Sequence, residues 1–275
     1  MRTVQSAPAT PSLRRYVRAF AHRTANGVFE AQPMPAYLET VINFDFEDLT
    51  IVQSAGGRFT PGRALAVVGP HTHPGTNLRF EGKIDSFAIF LQPAALWSLF
   101  RVPISIVSET HFDAAEVLGV PCVDLWHTLA ETPDFLARTR FAENFLRGYA
   151  SLGHSETATT AAAAVMARQG GRITVHDLAS MVHFSERQLE RSFLQEMGIS
   201  PKRFARVARF QNALDARVDT PGRPWTDIAI SSGYHDQMHL VHDFQSLGGF
   251  SPTRTVEQLG DSRPSALAAS HDSAP

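Results

Sequence analysis

Two short segments in the last third of the chain carry side chains suited to reading base edges in a DNA groove. Ser185, Arg187, Gln188, Glu190 and Arg191 form the first, and Gln237, Met238, His239 and His242 the second. An arginine fork matches O6 and N7 of guanine, an amide matches adenine, a carboxylate accepts from the cytosine amino group, and apolar contact suits the thymine methyl. Either group alone is just as well an ordinary solvated helix face.

Other chemistries find less support. His71 and His73 stand two apart, so on a strand both imidazoles would share a face and reach one ion. A cupin-type metal site wants a carboxylate four or five residues later, where Asn77 and Leu78 stand instead; Glu81 is further on. The expectation is a loop with two histidines, no metal and no cofactor. Cys122 is the single cysteine, which rules out an intramolecular disulfide and fits a reducing compartment. No cationic neighbour in sequence activates it, and a buried, inert thiol is expected. No glycine-rich phosphate loop, paired-carboxylate motif or nucleophile elbow occurs. The reading is therefore not an enzyme, with a metal-dependent cupin-type enzyme fused to a DNA-binding module as the alternative.

An internal repeat of about fifty residues lifts the base-reading groups above an ordinary surface. Its first copy runs Asp177-Leu178-Ala179, Phe184, Leu189, Phe193, Gly198-Ile199-Ser200-Pro201; its second runs Asp227-Ile228-Ala229, Tyr234, Leu240, Phe244, Gly249-Phe250-Ser251-Pro252. Each copy parses as helix, short turn, helix. Thr174 caps a helix with Val175, Leu178, Ala179 and Val182 on one face. Ser185 starts the next with Gln188 three residues on, a capping-box pattern. Leu189 and Phe193 then face inward, leaving the arginines outside. In the second copy Thr226 precedes the first helix, Gly233 supplies the turn and Asp236 caps the second. Leu240, Phe244 and Leu247 face inward there. Between the copies, Ser200-Pro201 opens a helix to about Val218, with Phe204, Val207, Ala208 and Leu214 as its stripe. At 1.5 Å per residue its roughly 16 residues would separate the units by ~24 Å.

The rest of the chain must present this module. Its 275 residues fit two domains, and 43% hydrophobic with 19% charged residues is ordinary for a globular protein. The net charge is −2, and residues 160–256 hold 11 basic against 9 acidic residues, which permits DNA binding without arguing for it. No apolar run approaches the ~20 residues of a membrane span, and a cytoplasmic location is expected. Strands are expected at 37–46, 49–53, 64–68, 78–80 and 84–92, where Ile42, Phe44 and Phe46 alternate with Asn43 and Asp45 and Glu81-Gly82 marks a turn. Helices are expected at 93–100, 122–130 and 133–149. Leu125, Leu129, Phe141 and Phe145 either pack on the sheet or form a homodimer seam. The fold class is α+β: a β-rich, cupin-like sensor domain at 1–120, a helical linker and dimerisation region at 121–155, an all-α domain at 156–258 and a disordered tail at 259–275.

The C-terminal residues from 157 to about 257 resemble the AraC/XylS-type DNA-binding domain. The likeness is carried by Asp177-Leu178-Ala179, the run from Phe184 through Arg187, Gln188 and Arg191 to Phe193, Gly198-Ile199-Ser200-Pro201, Gly233 through Leu240, Phe244 and Gly249-Phe250-Ser251-Pro252. It implies two helix-turn-helix units joined by a long helix, with double-stranded DNA as partner. It implies base contacts from Arg187, Glu190 and Arg191 in the first unit and from Gln237, Met238, His239 and His242 in the second. RNA polymerase, as the partner of an activator, follows from the same resemblance. One departure is His183, where a small residue or Gly is common at the turn. The N-terminal part is similar, more weakly, to β-rich sensor domains through Val68-Gly69-Pro70 and Leu91-Gln92-Pro93, which implies a small-molecule effector without naming it.

Overall fold

The computed structural model describes residues 2–53, 57–152 and 156–260. Most of the expected disordered tail, and residues 153–155 of the expected linker, lie outside the described residues; Leu259, placed in that tail, is instead buried.

Eight strands form one antiparallel sheet: β1 (Arg2–Ala7), β2 (Val17–Met34), β3 (Thr40–Asp45), β4 (Ile51–Gln53), β5 (Thr60–Pro61), β6 (Leu65–Val68), β7 (Thr76–Leu91) and β8 (His111–Asp113). The order is β1-β2-β7-β3-β6-β8, with β4 paired to both β5 and β7. β1 and β2 lie ahead of residue 37, where the first expected strand began. One face of β2 carries Ala19, Ala21 and Ala25, and alanine has little strand preference of its own. The expected break at Glu81-Gly82 is corrected: β7 runs straight through it, paired to β2 with Gly27 opposite Gly82. Gly82 has φ +86, and a Cβ there would meet the Asp48 carboxylate, which accepts from Lys83 N at 2.8 Å. A glycine signal that usually marks a turn here admits a close side chain.

Side-chain alternation gives the sheet two faces. Phe20, Ile42, Phe44, Val67, Phe87 and Ile89 are buried together with the helices that follow: α1 (Ala95–Phe100), α2 (Ile104–Val107), α3 (Ala114–Leu118), α4 (Val120–Ala130) and α5 (Phe135–Ser151). Leu125 and Leu129 are part of this core, and Phe145 packs on Phe100 and Tyr149 at 6.1 and 5.1 Å. Of the four residues weighed for a dimer seam, three are thus occupied within the chain, and Phe141 is exposed. Arg138 of α5 is fully buried, donates to both Asp85 oxygens at 2.5 and 3.1 Å and to the Leu129 carbonyl, and so ties the helical layer to β7. The opposite face carries the small residues Ala21, Ala66, Ser86 and Ala88, and they leave room for a cavity.

The remaining helices are α6 (Ala158–Arg168), α7 (Val175–Met181), α8 (Glu186–Met197), α9 (Pro201–Asp219), α10 (Trp225–Ser231), α11 (Gln237–Gly248) and α12 (Pro252–Leu259). The spacer α9 has 19 residues, about 28 Å at 1.5 Å per residue.

Candidate nucleic-acid interface

Each helix-turn-helix pair closes around one phenylalanine of the spacer. Phe204 meets Phe193 of α8 edge-on at 5.8 Å, and Phe210 meets Phe244 of α11 at 4.8 Å, with Trp225 of α10 against the same ring at 5.2 Å. Leu178, Leu189, Ile228 and Leu240 complete the two cores, all fully buried.

The turns are equivalent in backbone as well as in sequence. His183 has φ +58 and Gly233, fifty residues on, has φ +80. The first unit thus makes the same left-handed turn with a histidine, so the departure at His183 leaves the turn in place. Capping then sets where each recognition helix begins. Ser185 accepts from Gln188 N at 3.2 Å, while Gln188 Oε1 accepts from Ser185 N at 2.8 Å. Asp236 accepts from His239 N at 2.8 Å, and this bond is the main cause of its lowered pKa. Thr174 caps α7 through Asp177 N at 3.0 Å, and Ser200 caps α9. In the second unit Pro224 stands at the cap and α10 starts at Trp225, so Thr226 lies inside that helix rather than ahead of it.

With Phe193 and Phe244 aligned, Arg187 corresponds to Met238, Gln188 to His239, and Arg191 to His242. Arg187, Gln188, Glu190 and Arg191 are exposed, as are Gln237, Met238, His239 and His242. Arg187, Glu190 and Arg191 make no hydrogen bond or ion pair among the described residues. Met238 is 74% exposed, a large apolar side chain held out in water by a well-capped helix. Ser185 and Gln188 sit on the same face, but their side chains are engaged in the cap. Arg203 and Arg209 of the spacer turn inward: Arg203 donates to Thr72 Oγ1 at 2.9 Å, and Arg209 donates to the Gly171 carbonyl at 3.3 Å.

The two HTH units and their spacer are docked on the β-rich domain through polar contacts. Arg18 of β2 is buried between Glu39 and Asp215 of α9, and pairs with both. Burial opposes the charge of Arg18, but the two carboxylates raise its pKa above the ordinary value. Gln211, one turn before Asp215, donates to Glu39 at 2.7 Å and accepts from Leu38 N at 3.1 Å. Ala36 N donates to the Leu247 carbonyl of α11, and Ser105 of α2 to the Gln195 carbonyl of α8. None of these seam residues stood out in the sequence. The available signal was Gln211 and Asp215, a polar pair at i, i+4 on the buried side of an otherwise apolar helix stripe.

Behind the seam lies a cavity of about 200 Å³. Its floor is Ala21, Val41, Ala66, Val68, Ala88 and Phe90. Tyr37, Glu39, His71 and Glu109 stand at the seam end, and Asp45 and Arg23 at the other. His71 and His73, the metal candidates, take different partners. His71 donates from Nδ1 to the Gly69 carbonyl and stacks on Tyr37 at 5.3 Å, whereas His73 bonds Arg203. No group of three or more His, Cys, Asp or Glu arranged for a metal occurs among the described residues.

A sheet domain with a cavity is thus docked on a helical domain that presents two matched helix-turn-helix units. Residues 178–258 match the family described as a helix-turn-helix domain. The whole chain is similar in fold to ToxT from Vibrio cholerae. For the apo form of a strain SCE256 variant the TM-score is 0.55 at 10% identity, covering 92% of this chain and 100% of that one. For a second crystal form of ToxT it is 0.50 at 10% identity, covering 94% and 98%. No curated protein matches the chain by sequence.

Proposed function

We propose that the chain is a sequence-specific DNA-binding transcription regulator whose N-terminal domain responds to a small-molecule effector. The observation that carries this is the matched pair of outward recognition faces, Arg187 with Arg191 and Met238 with His242, at equivalent positions of two equivalent scaffolds. A regulator of this design places α8 and α11 in successive major grooves on one face of the duplex. Successive grooves lie ~34 Å apart, and a spacer of about 28 Å plus the width of the flanking helices spans that step.

In this reading Arg187, Glu190 and Arg191 read bases for the first unit, and Gln237, Met238, His239 and His242 for the second. The working parts are a sensor over 1–120, a linker over 121–155 and a DNA-binding domain over 156–258. The cavity supplies the effector site, and its wall residue Glu39 is also a member of the seam that holds α9. Assembly as a homodimer is supported by the exposed apolar residues Leu136 and Phe141 on the outer side of α5. Activation through RNA polymerase and a cytoplasmic setting belong to the same reading and rest on the family resemblance. No helix among the described residues is long and apolar enough to cross a membrane.

Selection of bound fragments from a genomic DNA pool, followed by footprinting, tests this. The expected result is one protected face with two contact regions about ten base pairs apart. Binding that is uniform across sequences would overturn it.

A further inference from the structure

The two ends of the cavity differ in chemistry, and the seam end is built of acceptors. Tyr37, Glu39, His71 and Glu109 all line it. His71 spends its Nδ1 proton on the Gly69 carbonyl, so in the neutral ring Nε2 is left as an acceptor. Glu109 Oε1 takes the Thr72 amide at 2.8 Å and the Thr72 hydroxyl at 2.6 Å, while its Oε2 lies 3.6 Å from the His73 ring. Glu39 and Asp215 bring two carboxylates to the one guanidinium of Arg18. The Tyr37 hydroxyl makes no hydrogen bond among the described residues. Burial first, then the charges of Glu39 and Glu109, push its pKa above the ordinary range. It therefore stays a neutral phenol beside two carboxylates.

Apart from Arg18, which meets Glu39 from the seam side, the cations lie elsewhere. Arg203 reaches the neighbouring loop but bonds Thr72 and His73. Arg23 lies by Asp45, across Ser86, at the far end of the floor, with its guanidinium over Phe80 at 4.5 Å. Arg63 stands by Asp113 at 3.6 Å and is half exposed. No lysine lines the cavity. Between the ends runs an apolar floor. Val41 to Asp45 spans four residues of strand, about 13 Å at ~3.3 Å per residue.

We propose that the effector is an elongated amphiphile with a cationic or donor-rich head, an amine rather than a carboxylate, whose head lies among Tyr37, Glu39, His71 and Glu109 and whose apolar body lies along Val41, Ala66, Val68 and Ala88. This rests on the reading of the N-terminal domain as an effector sensor. A cation there stands against Glu109, an imidazole lone pair and the one negative charge that Glu39 and Asp215 leave in excess beside Arg18, whereas an anionic head would have to displace itself toward Arg23 or Arg63.

The probes are octylamine and octanoate, matched in chain length, titrated calorimetrically into the full-length protein at one ionic strength. Octylamine is expected to bind at least tenfold more tightly. Glu109→Gln keeps an acceptor for Thr72, and Tyr37→Phe keeps the ring stacked on His71, so both variants retain the fold. Each is expected to reduce the amine preference at least threefold. Octanoate binding as tightly as octylamine, no binding of either, or an amine preference unchanged in both variants would each overturn the proposal. Operator binding, measured on the same preparations, keeps the regulator reading separate. If it persists while octanoate wins, only the ligand class fails; if it is absent, the regulator reading fails.

Discussion

Arg187 and Arg191 stand one helical turn apart with no hydrogen bond or ion pair among the described residues, the arrangement in which a guanidinium is ready for a guanine edge. A bidentate arginine–guanine pair contributes about 1–3 kcal/mol of discrimination. Arg187→Ala and Arg191→Ala are each expected to relax preference at one or two base pairs of one half-site in a binding-site selection. Met238→Ala should instead weaken discrimination at a thymine in the other half. If Gln237→Ala and His242→Ala erased specificity while the arginine changes left it intact, the reading of Arg187 and Arg191 as base readers would be wrong. Cys122 is fully buried, and burial with the nearby Asp113 pushes its thiol up to about 12. Native protein at pH 8 is expected to resist alkylation that the unfolded chain undergoes at once; rapid native labelling would refute that. That Arg187, Glu190, Arg191, Gln237, Met238, His239 and His242 face outward was legible because a repeat with fixed spacing shows which positions face out. Tyr37, Glu39 and Arg18 were not, because a single charged residue in a strand looks the same whether it meets water or a partner 197 residues away.

Helix elements were read closely from caps and spacing: Ser185, Asp236 and Ser200 mark starts that the structure keeps, and α8 and α11 begin where those caps dictate. The long strand β2 escaped because one of its faces carries Ala19, Ala21 and Ala25, residues of little strand preference whose place is set by packing rather than by local preference. His183 shows the price of a turn made without glycine. A left-handed residue bearing a Cβ is strained by roughly 1–2 kcal/mol, against about 0.5–1 kcal/mol of extra chain entropy for glycine. His183→Gly is therefore expected to stabilise the protein by about 0.5–1 kcal/mol in thermal denaturation, and a lowered midpoint would contradict the turn geometry. Asp85, which binds α5 to the sheet, gives a pH prediction. Partial burial works to raise its pKa, but hydrogen bonds from His22 and Arg138 bring it down to about 2. Its folded value lies below the unfolded ~3.9. Its contribution is thus complete above pH ~4 and is lost as the pH falls toward 2, worth about 1 kcal/mol after allowance for its exposure. Asp85→Asn should flatten the acid-unfolding curve in that window while lowering stability at pH 7, because Arg138 then lacks its anion.

At the scale of the whole molecule the seam decides how the halves communicate. Removing one member of a buried charge group costs about 3–5 kcal/mol because the remaining charges stay buried without it. Arg18→Ala is expected to lower stability by that amount, more than Asp215→Asn, since it leaves Glu39 and Asp215 facing each other. A loss under 1 kcal/mol in denaturant unfolding would mean that the domains do not dock this way in solution. Leu136→Glu together with Phe141→Glu, on an exposed face, should leave stability nearly unchanged but lower the sedimenting mass if α5 is the homodimer contact. An unchanged mass would move that contact elsewhere.

The separation of Arg18 from Asp215 also bears on how the chain is made. Synthesis at ~5–20 residues per second puts about 10–40 s between the emergence of the two, long enough for the sheet to fold first. Throughout that interval the surface awaiting α9 stands open on a half-made protein. An apolar surface left bare on the ribosome would invite aggregation. A guanidinium paired to a glutamate is comfortable in water. The polarity of this joint therefore allows the nascent β-rich domain to wait for its helical half without sticking to its neighbours.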